Sequence, residues 1–286
     1  MSCIYRIVNL YSGSEGNATY ISAGDAHILI DAGKSARALC LSLKSIGVDI
    51  DRIDAIFLTH EHRDHTSALA TLAKKHPIPV HTTRRSAPCV CADETAPLFA
   101  NLRVHPPVFT EHIAGLEITS FPTPHDSRES VGYRLSFTDA AGMFHEIGYA
   151  TDIGCVNTSV REGLRGCESV VLESNHDPEM LWGGSYPPDL KERIYSRFGH
   201  LSNPDCAAFA AELAAAGTRN FLLAHLSREN NLPELAFNET WAALADESVR
   251  LLVASPDFPV SMEVNYPDNT PEAADTAGQK EESYPC

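Results

Sequence analysis

Thr59-His60-Glu61-His62-Arg63-Asp64-His65 follows directly on the apolar run Ile53-Asp54-Ala55-Ile56-Phe57-Leu58. Three histidines and an aspartate fall in the order His-x-His-x-Asp-His. A packed core has no use for that order, because imidazoles buried without partners are costly to desolvate. Imidazole with carboxylate suits zinc, iron or manganese. His60 and His62 can converge on one ion from alternate positions of an extended turn, while Asp64 and His65 are displaced far enough to face a second.

Three positions elsewhere share that context, a strand end followed by a turn. They are His125 in Pro122-Thr123-Pro124-His125, Asp152 in Tyr149-Ala150-Thr151-Asp152, and His225 in Leu222-Leu223-Ala224-His225. Singly, each reads as a turn aspartate or a strand-end histidine bonded to backbone. Together with the cluster they make seven ligands, enough for two ions. His60, His62 and His125 would take one, Asp64, His65 and His225 the other, and Asp152 would bridge. Two such ions can activate a shared water and clamp both oxygens of a displacement.

The chain around these residues has 286 residues and a formal net charge of −16. That length buries a full core. The acidic surface argues against a broad non-specific nucleic-acid binder, so any nucleic-acid chemistry must rest on metals and a local basic patch. The eight cysteines are scattered without a CxxC pair, which disfavours a thiolate site. With no signal-like start and no apolar run of spanning length, a cytoplasmic protein with free thiols, away from membranes, is expected.

In order, strands are expected at 4–10, 18–22 and 27–31, a helix at 35–46 stopped by Gly47, the buried strand 54–58, a helix at 66–75 and a short strand at 79–81. Residues 82–107 read as irregular, with a helix near 86–91. Strands follow at 117–121, 130–137 and 144–150, then a helix near 159–164, the strand 169–173, and helices at 188–197 and 204–216. The last of these is capped by Ser202 or Asn203 and stopped by Gly217. Strands at 220–224, 250–254 and 260–264 complete a domain spanning 1–265. Residues 266–286 read as a disordered acidic tail. Meandering strands interspersed with helices, with metal-competent residues at strand ends, predict an α/β fold: an αββα four-layer sandwich with its site at one edge.

Of the remaining histidines, His27, His76, His81, His105, His112 and His145 are expected to be ordinary. His176, in Glu173-Ser174-Asn175-His176-Asp177, and His200, in Gly199-His200-Leu201-Ser202-Asn203, are candidates to protonate a leaving oxygen near the metals. Arg228, with Asn230 and Asn231, is the basic group expected nearest the ions.

These residues resemble the metallo-β-lactamase-fold hydrolases, through Asp31 after the third strand, His60-x-His62-x-Asp64-His65, His125, Asp152 and His225. The resemblance implies a dinuclear centre that hydrolyses esters, amides or phosphodiesters, with Asp31 holding the metal loop and Asp64 also orienting the water. Ser12-Gly13-Ser14-Glu15-Gly16-Asn17, Glu173-Ser174-Asn175-His176-Asp177, Gly199-His200-Leu201-Ser202 and Ala224-His225-Leu226-Ser227 are similar to the YycJ/WalJ (VicX) group. That likeness implies a 5′→3′ exonuclease with a metal-bridged hydroxide, two divalent ions (zinc, or manganese or iron), and DNA rather than RNA as substrate. The pairing of the last two segments also resembles the tRNA 3′-processing ribonucleases of the fold, in which the earlier histidine, here His200, assists the leaving group. A small phosphodiester or a thioester is the alternative substrate, since it needs no extended basic track.

Overall fold

The computed structural model describes residues 3–91 and 96–265; the expected tail, 266–286, lies outside them. The first strands are β1 (Cys3–Tyr11), β2 (Ala18–Ala23), β3 (Ala26–Ile30), β4 (Ala55–Phe57), β5 (Val80–Thr83) and β6 (Leu102–His105). Then come β7 (Thr110–Ile113), β8 (Leu116–Pro122), β9 (Val131–Thr138), β10 (Phe144–Ala150), β11 (Ser169–Glu173), β12 (Asn220–Ala224), β13 (Arg250–Val253) and β14 (Val260–Asn265). They form two seven-stranded sheets, ordered β14-β1-β2-β3-β4-β5-β6 and β13-β12-β11-β10-β9-β8-β7.

Alternation along each strand builds the layers, because successive side chains point to opposite faces. Ile28 and Ile30 of β3 and Phe57 of β4 face a core shared with Val171 of β11 and Leu222 of β12, between the sheets. Leu29 and Ile56 face the other way, onto a second core with Leu39 and Leu43 of the helix Ala36–Ser45. Val170, Leu172, Phe221 and Leu223 pack on Phe209 and Leu213 of the helix Asn203–Ala215. Three cores separate four layers, the αββα sandwich expected.

Within each sheet one run is parallel: β3 to β6 in the first, β10 to β13 in the second. The carboxyl ends of parallel strands are where α/β folds place ligands. Asp31 follows β3, His60 lies just past β4, Asp152 follows β10, Glu173 ends β11 and His225 follows β12. Asp31, Asp152 and His225 adopt φ of 63°, 56° and 60°. For residues with a Cβ this left-handed conformation costs about 1–3 kcal/mol each and persists only where surroundings enforce it.

Some elements depart from expectation. The helix expected over 66–75 is two short ones, Arg63–Thr66 and Leu69–Ala73. The break lies where Ala68 N–H bonds to Ala32 O at 2.9 Å, so the metal-rich loop runs straight into a helical turn. The stretch read as irregular contains β6, with β7 just after it. Both are four-residue edge strands carrying exposed or half-buried polar side chains. The helices Pro178–Gly183 and Pro233–Leu244 were not expected. The second starts at Leu232 with no side-chain cap bond, leaving Pro233 in the first turn as its start signal. Ser202, rather than Asn203, caps the helix Asn203–Ala215, accepting from Asp205 N at 3.3 Å. Among the described residues no helix is long and apolar enough to cross a membrane.

The turn after β3 touches the metal-rich loop backbone to backbone. Gly33 N–H donates to Asn17 O at 2.8 Å and Asn17 N–H to Asp64 O at 2.7 Å. A Cβ on Gly33 would lie 1.9 Å from Asp64 O and 2.5 Å from Asn17 N. Gly33→Ala is therefore expected to destabilise by about 1–3 kcal/mol and to weaken metal retention, read by thermal unfolding and elemental analysis. A variant matching the parent in both would contradict this close crossing.

Candidate metal centre

Four imidazoles are held in place through Nδ1. Thr59 donates its backbone N–H to Asp31 Oδ1 (2.8 Å) and its hydroxyl to Asp31 Oδ2 (2.9 Å), leaving Thr59 Oγ1 to accept from His60 Nδ1 at 3.0 Å. His65 Nδ1 donates to Asp31 Oδ2 at 2.8 Å, His125 Nδ1 to Gly199 O at 3.1 Å, and His225 Nδ1 to Glu173 Oε1 at 3.1 Å. With Nδ1–H spent on oxygen, each ring turns Nε2 toward the centre. This arrangement orients histidine ligands and fixes their tautomer.

Those Nε2 atoms converge on two carboxylates. His65 Nε2 lies 3.3 Å from Asp64 Oδ2 and 3.5 Å from Asp152 Oδ2. His225 Nε2 lies 3.3 Å from Asp152 Oδ1 and 3.8 Å from Asp64 Oδ2, and His125 Nε2 lies 3.8 Å from Asp152 Oδ1. His62, half-buried, stands edge-on to His60 and His125 with ring centres 4.4 and 5.2 Å away. Ligand atoms within 4.8 Å of one another come from His60, His62 and His125, from Asp64, His65 and His225, and from His60, His65 and Asp152. All seven expected ligands thus meet, with Asp152 in reach of both sets.

The chemistry of this donor set fits divalent cations. Buried His60 Nε2, His225 Nε2 and Asp152 Oδ2 have no hydrogen-bond partner, a costly state unless something cationic completes them. Asn17 Nδ2, 3.0 Å from His65 Nε2 and 3.3 Å from Asp64 Oδ2, is the donor beside the cluster. Burial alone would raise the Asp64 carboxyl, but His65 and His225 outweigh it and hold it well below the carboxylate range. Burial lowers His60, reinforced by His65, His125 and His62 around it. Burial would also lower His225, yet Asp152, Asp64 and Glu173 push it up to about 10.

Glu173 was not singled out by the sequence. It is fully buried, and its Oε1 accepts from His225 Nδ1 and, at 2.7 Å, from His200 Nδ1. Its Oε2 takes Ile153 N–H at 2.6 Å, next to Asp152. The available signal was an acid closing the apolar run Val170-Val171-Leu172. His200 belongs to the cluster: its ring stacks on His225 at 5.1 Å and lies 5.2 Å from His125. His176 lies outside these ligand groups. It is buried with both ring nitrogens unpartnered, its ring 6.1 Å from that of Tyr195, and burial lowers it to about 4.

A cavity of about 180 Å³ opens beside the cluster, lined by Ser14, Asn175, Tyr186, Arg193, His200 and His225 among others. The basic group there is Arg193, paired with Asp126. Arg228, expected nearest the ions, instead pairs with Asp257 at 2.8 Å and Glu15 at 3.3 Å. Asn230 and Asn231 are buried, and Asn231 Nδ2 donates to Ser174 O and Asn175 O. Two histidines expected to be ordinary, His81 and His105, meet each other and Glu111. His145, also expected to be ordinary, sits between Glu168 (2.7 Å) and Asp139 (3.2 Å).

Residues 26–226 match the family model described as the beta-lactamase superfamily domain. With the αββα fold and this site, the chain belongs to the β-lactamase superfamily and is a metal-dependent hydrolase. Within it, the chain groups with the YycJ/WalJ proteins. It is 33% identical over 232 residues to exodeoxyribonuclease YycJ of Bacillus anthracis, covering 79% of this chain and 84% of that one. It is 32% identical over 231 residues to exodeoxyribonuclease WalJ of Streptococcus pneumoniae, covering 79% and 83%. The metallo-β-lactamase fold protein YhfI from Bacillus subtilis superposes with a TM-score of 0.67 at 17% identity, covering 91% of this chain and 100% of that one.

Because His225 is held protonated at pH 7 by surrounding carboxylates, a cation that takes its Nε2 must displace a proton. Metal affinity is therefore expected to rise with pH up to about 10. Binding at pH 7.5 is expected to release about one proton or more per chain, read by calorimetry in buffers of different ionisation enthalpy. Binding with no proton release would contradict the assignment of His225.

Proposed function

We propose that this protein is a dinuclear phosphodiesterase that degrades DNA from a 5′ end. The observation that carries the reading is Asp152, whose two oxygens reach histidines of both ligand sets. Its support from relatives is the similarity to YycJ and WalJ, both named exodeoxyribonucleases. Zinc suits the imidazole-rich donors, and manganese or iron would be accepted by the same set. When bound, two divalent ions would supply Lewis acidity to a phosphate and lower the pKa of water toward neutrality.

The chain's own residues do the rest. Asp64, held ionised and partly exposed, is the acceptor that orients the attacking water. His200 gives its proton to the departing sugar oxygen. Glu173 holds His200 through Nδ1, so Nε2 is the nitrogen left for this transfer. His176, driven toward its neutral form by burial, is a poor acid at pH 7. Arg193 lines the cavity together with its ion-pair partner Asp126, and a phosphate there would compete with that carboxylate for the guanidinium.

End-labelled single- and double-stranded DNA, RNA, a small aryl phosphodiester and a glutathione thioester make the discriminating panel. The reading expects stepwise shortening of DNA from the 5′ end with zinc- or manganese-loaded protein. Strong turnover of the thioester or small ester with no cleavage of DNA would replace it with the small-substrate alternative. His200→Gln is expected to slow DNA hydrolysis by about 10²–10⁴-fold at unchanged metal content. It should barely affect bis(p-nitrophenyl) phosphate, whose leaving group departs without a proton. Equal losses on both substrates would remove His200 from the role of acid.

A further inference from the structure

We propose a further divalent-metal site, of zinc type, formed by His81, His105 and Glu111 at the edge of the sandwich opposite β13 and β14. The three residues come from β5, β6 and β7. β6 is the last strand of the first sheet and β7 the last of the second, so the cluster spans the gap between two sheet edges.

These side chains lie where apolar ones belong. His81 stacks on Phe57 with ring centres 4.4 Å apart, and His105 stacks on Phe109 at 4.2 Å. Phe57 and Phe109 are part of the core between the sheets, and Ile113, two residues beyond Glu111 on the same face, packs against that core. Two imidazoles and a carboxylate therefore close the rim of an otherwise apolar interface, where leucine or valine would bury without desolvation cost.

Their geometry suits an ion. His81 Nδ1 lies 3.1 Å from His105 Nε2, close to the roughly 3.3 Å edge of a tetrahedron with 2.0–2.1 Å zinc–nitrogen bonds. Glu111 Oε1 lies 3.7 Å from the other nitrogen of that ring, His105 Nδ1; His105 can give an ion only one of its nitrogens, and one ligand atom from each of the three residues falls within 4.8 Å of the others. His81 is buried while His105 and Glu111 are half-buried, which leaves water able to take the fourth position. Two imidazoles and one carboxylate form a borderline-soft donor set, which prefers zinc to magnesium or calcium. An ion there would clip the two sheets together at the edge where each ends in a four-residue strand. None of the three residues belongs to the hydrolytic cluster, so this role is structural and independent of the substrate.

The experiment is elemental analysis of zinc-loaded, exhaustively dialysed wild type beside Glu111→Gln and His105→Ala, with zinc-dependent thermal shifts on each. His105→Ala is expected to hold one zinc fewer per chain than wild type. Glu111→Gln, a half-buried and isosteric change that leaves folding intact, is expected to bind that zinc at least tenfold more weakly. Hydrolytic activity should stay at the wild-type level in both, and the thermal shift on adding zinc should shrink. Identical zinc content and identical thermal shifts in all three proteins would overturn the proposal. The triad would then be a hydrogen-bonded chain without an ion.

Discussion

A buried carboxylate ties the site to the first sheet. Asp31 is fully buried directly after β3, and its oxygens accept from Thr59 N–H, the Thr59 hydroxyl and His65 Nδ1. Those three bonds fasten the end of β3 to the loop after β4 and to the first helical turn beyond it. Thr59 in turn orients His60. A carboxylate removed from water is costly unless fully satisfied, and here it is satisfied only when the loop has its native shape. Metal-competent residues thus inherit the rigidity of the sheet beneath them.

The second sheet contributes a matching device. Glu173 closes β11 between β10 and β12, and its one oxygen holds both His225 and His200 while the other holds the backbone beside Asp152. Asp31 and Glu173 therefore play equivalent parts on the two sheets. Each is a buried acid at the carboxyl end of a strand that fixes imidazoles by their Nδ1 and leaves Nε2 for the centre. The left-handed backbone at Asp31, Asp152 and His225 is the strain that this arrangement stores, held in place by core on both sides.

The αββα layering and the meeting of His60, His62, Asp64, His65, His125, Asp152 and His225 were legible because the polar cluster follows directly on an apolar run and the other three residues lie just past strands. Such interruptions are local, so one sequence displays them. Glu173 was harder to see, since its meaning depends on which strands flank β11, a property of topology rather than spacing. His81, His105 and Glu111 were hidden for the same reason: their contacts form across strand and sheet edges. The ion pairs of Arg228 were hidden too, because nearness to His225 in the chain says nothing of Glu15 and Asp257, which claim its guanidinium. The helix Pro233–Leu244 escaped because it starts without a capping side chain and is positioned by packing on the helix Asn203–Ala215.

The central claim is that two ions share Asp152. Anomalous diffraction from crystals of zinc-loaded protein, recorded at the zinc edge, tests it most directly. Two peaks about 3.5–4 Å apart are expected, one among His60, His62 and His125 and one among Asp64, His65 and His225, with Asp152 contacting both. A single peak, or peaks that leave Asp152 out of contact, would contradict it.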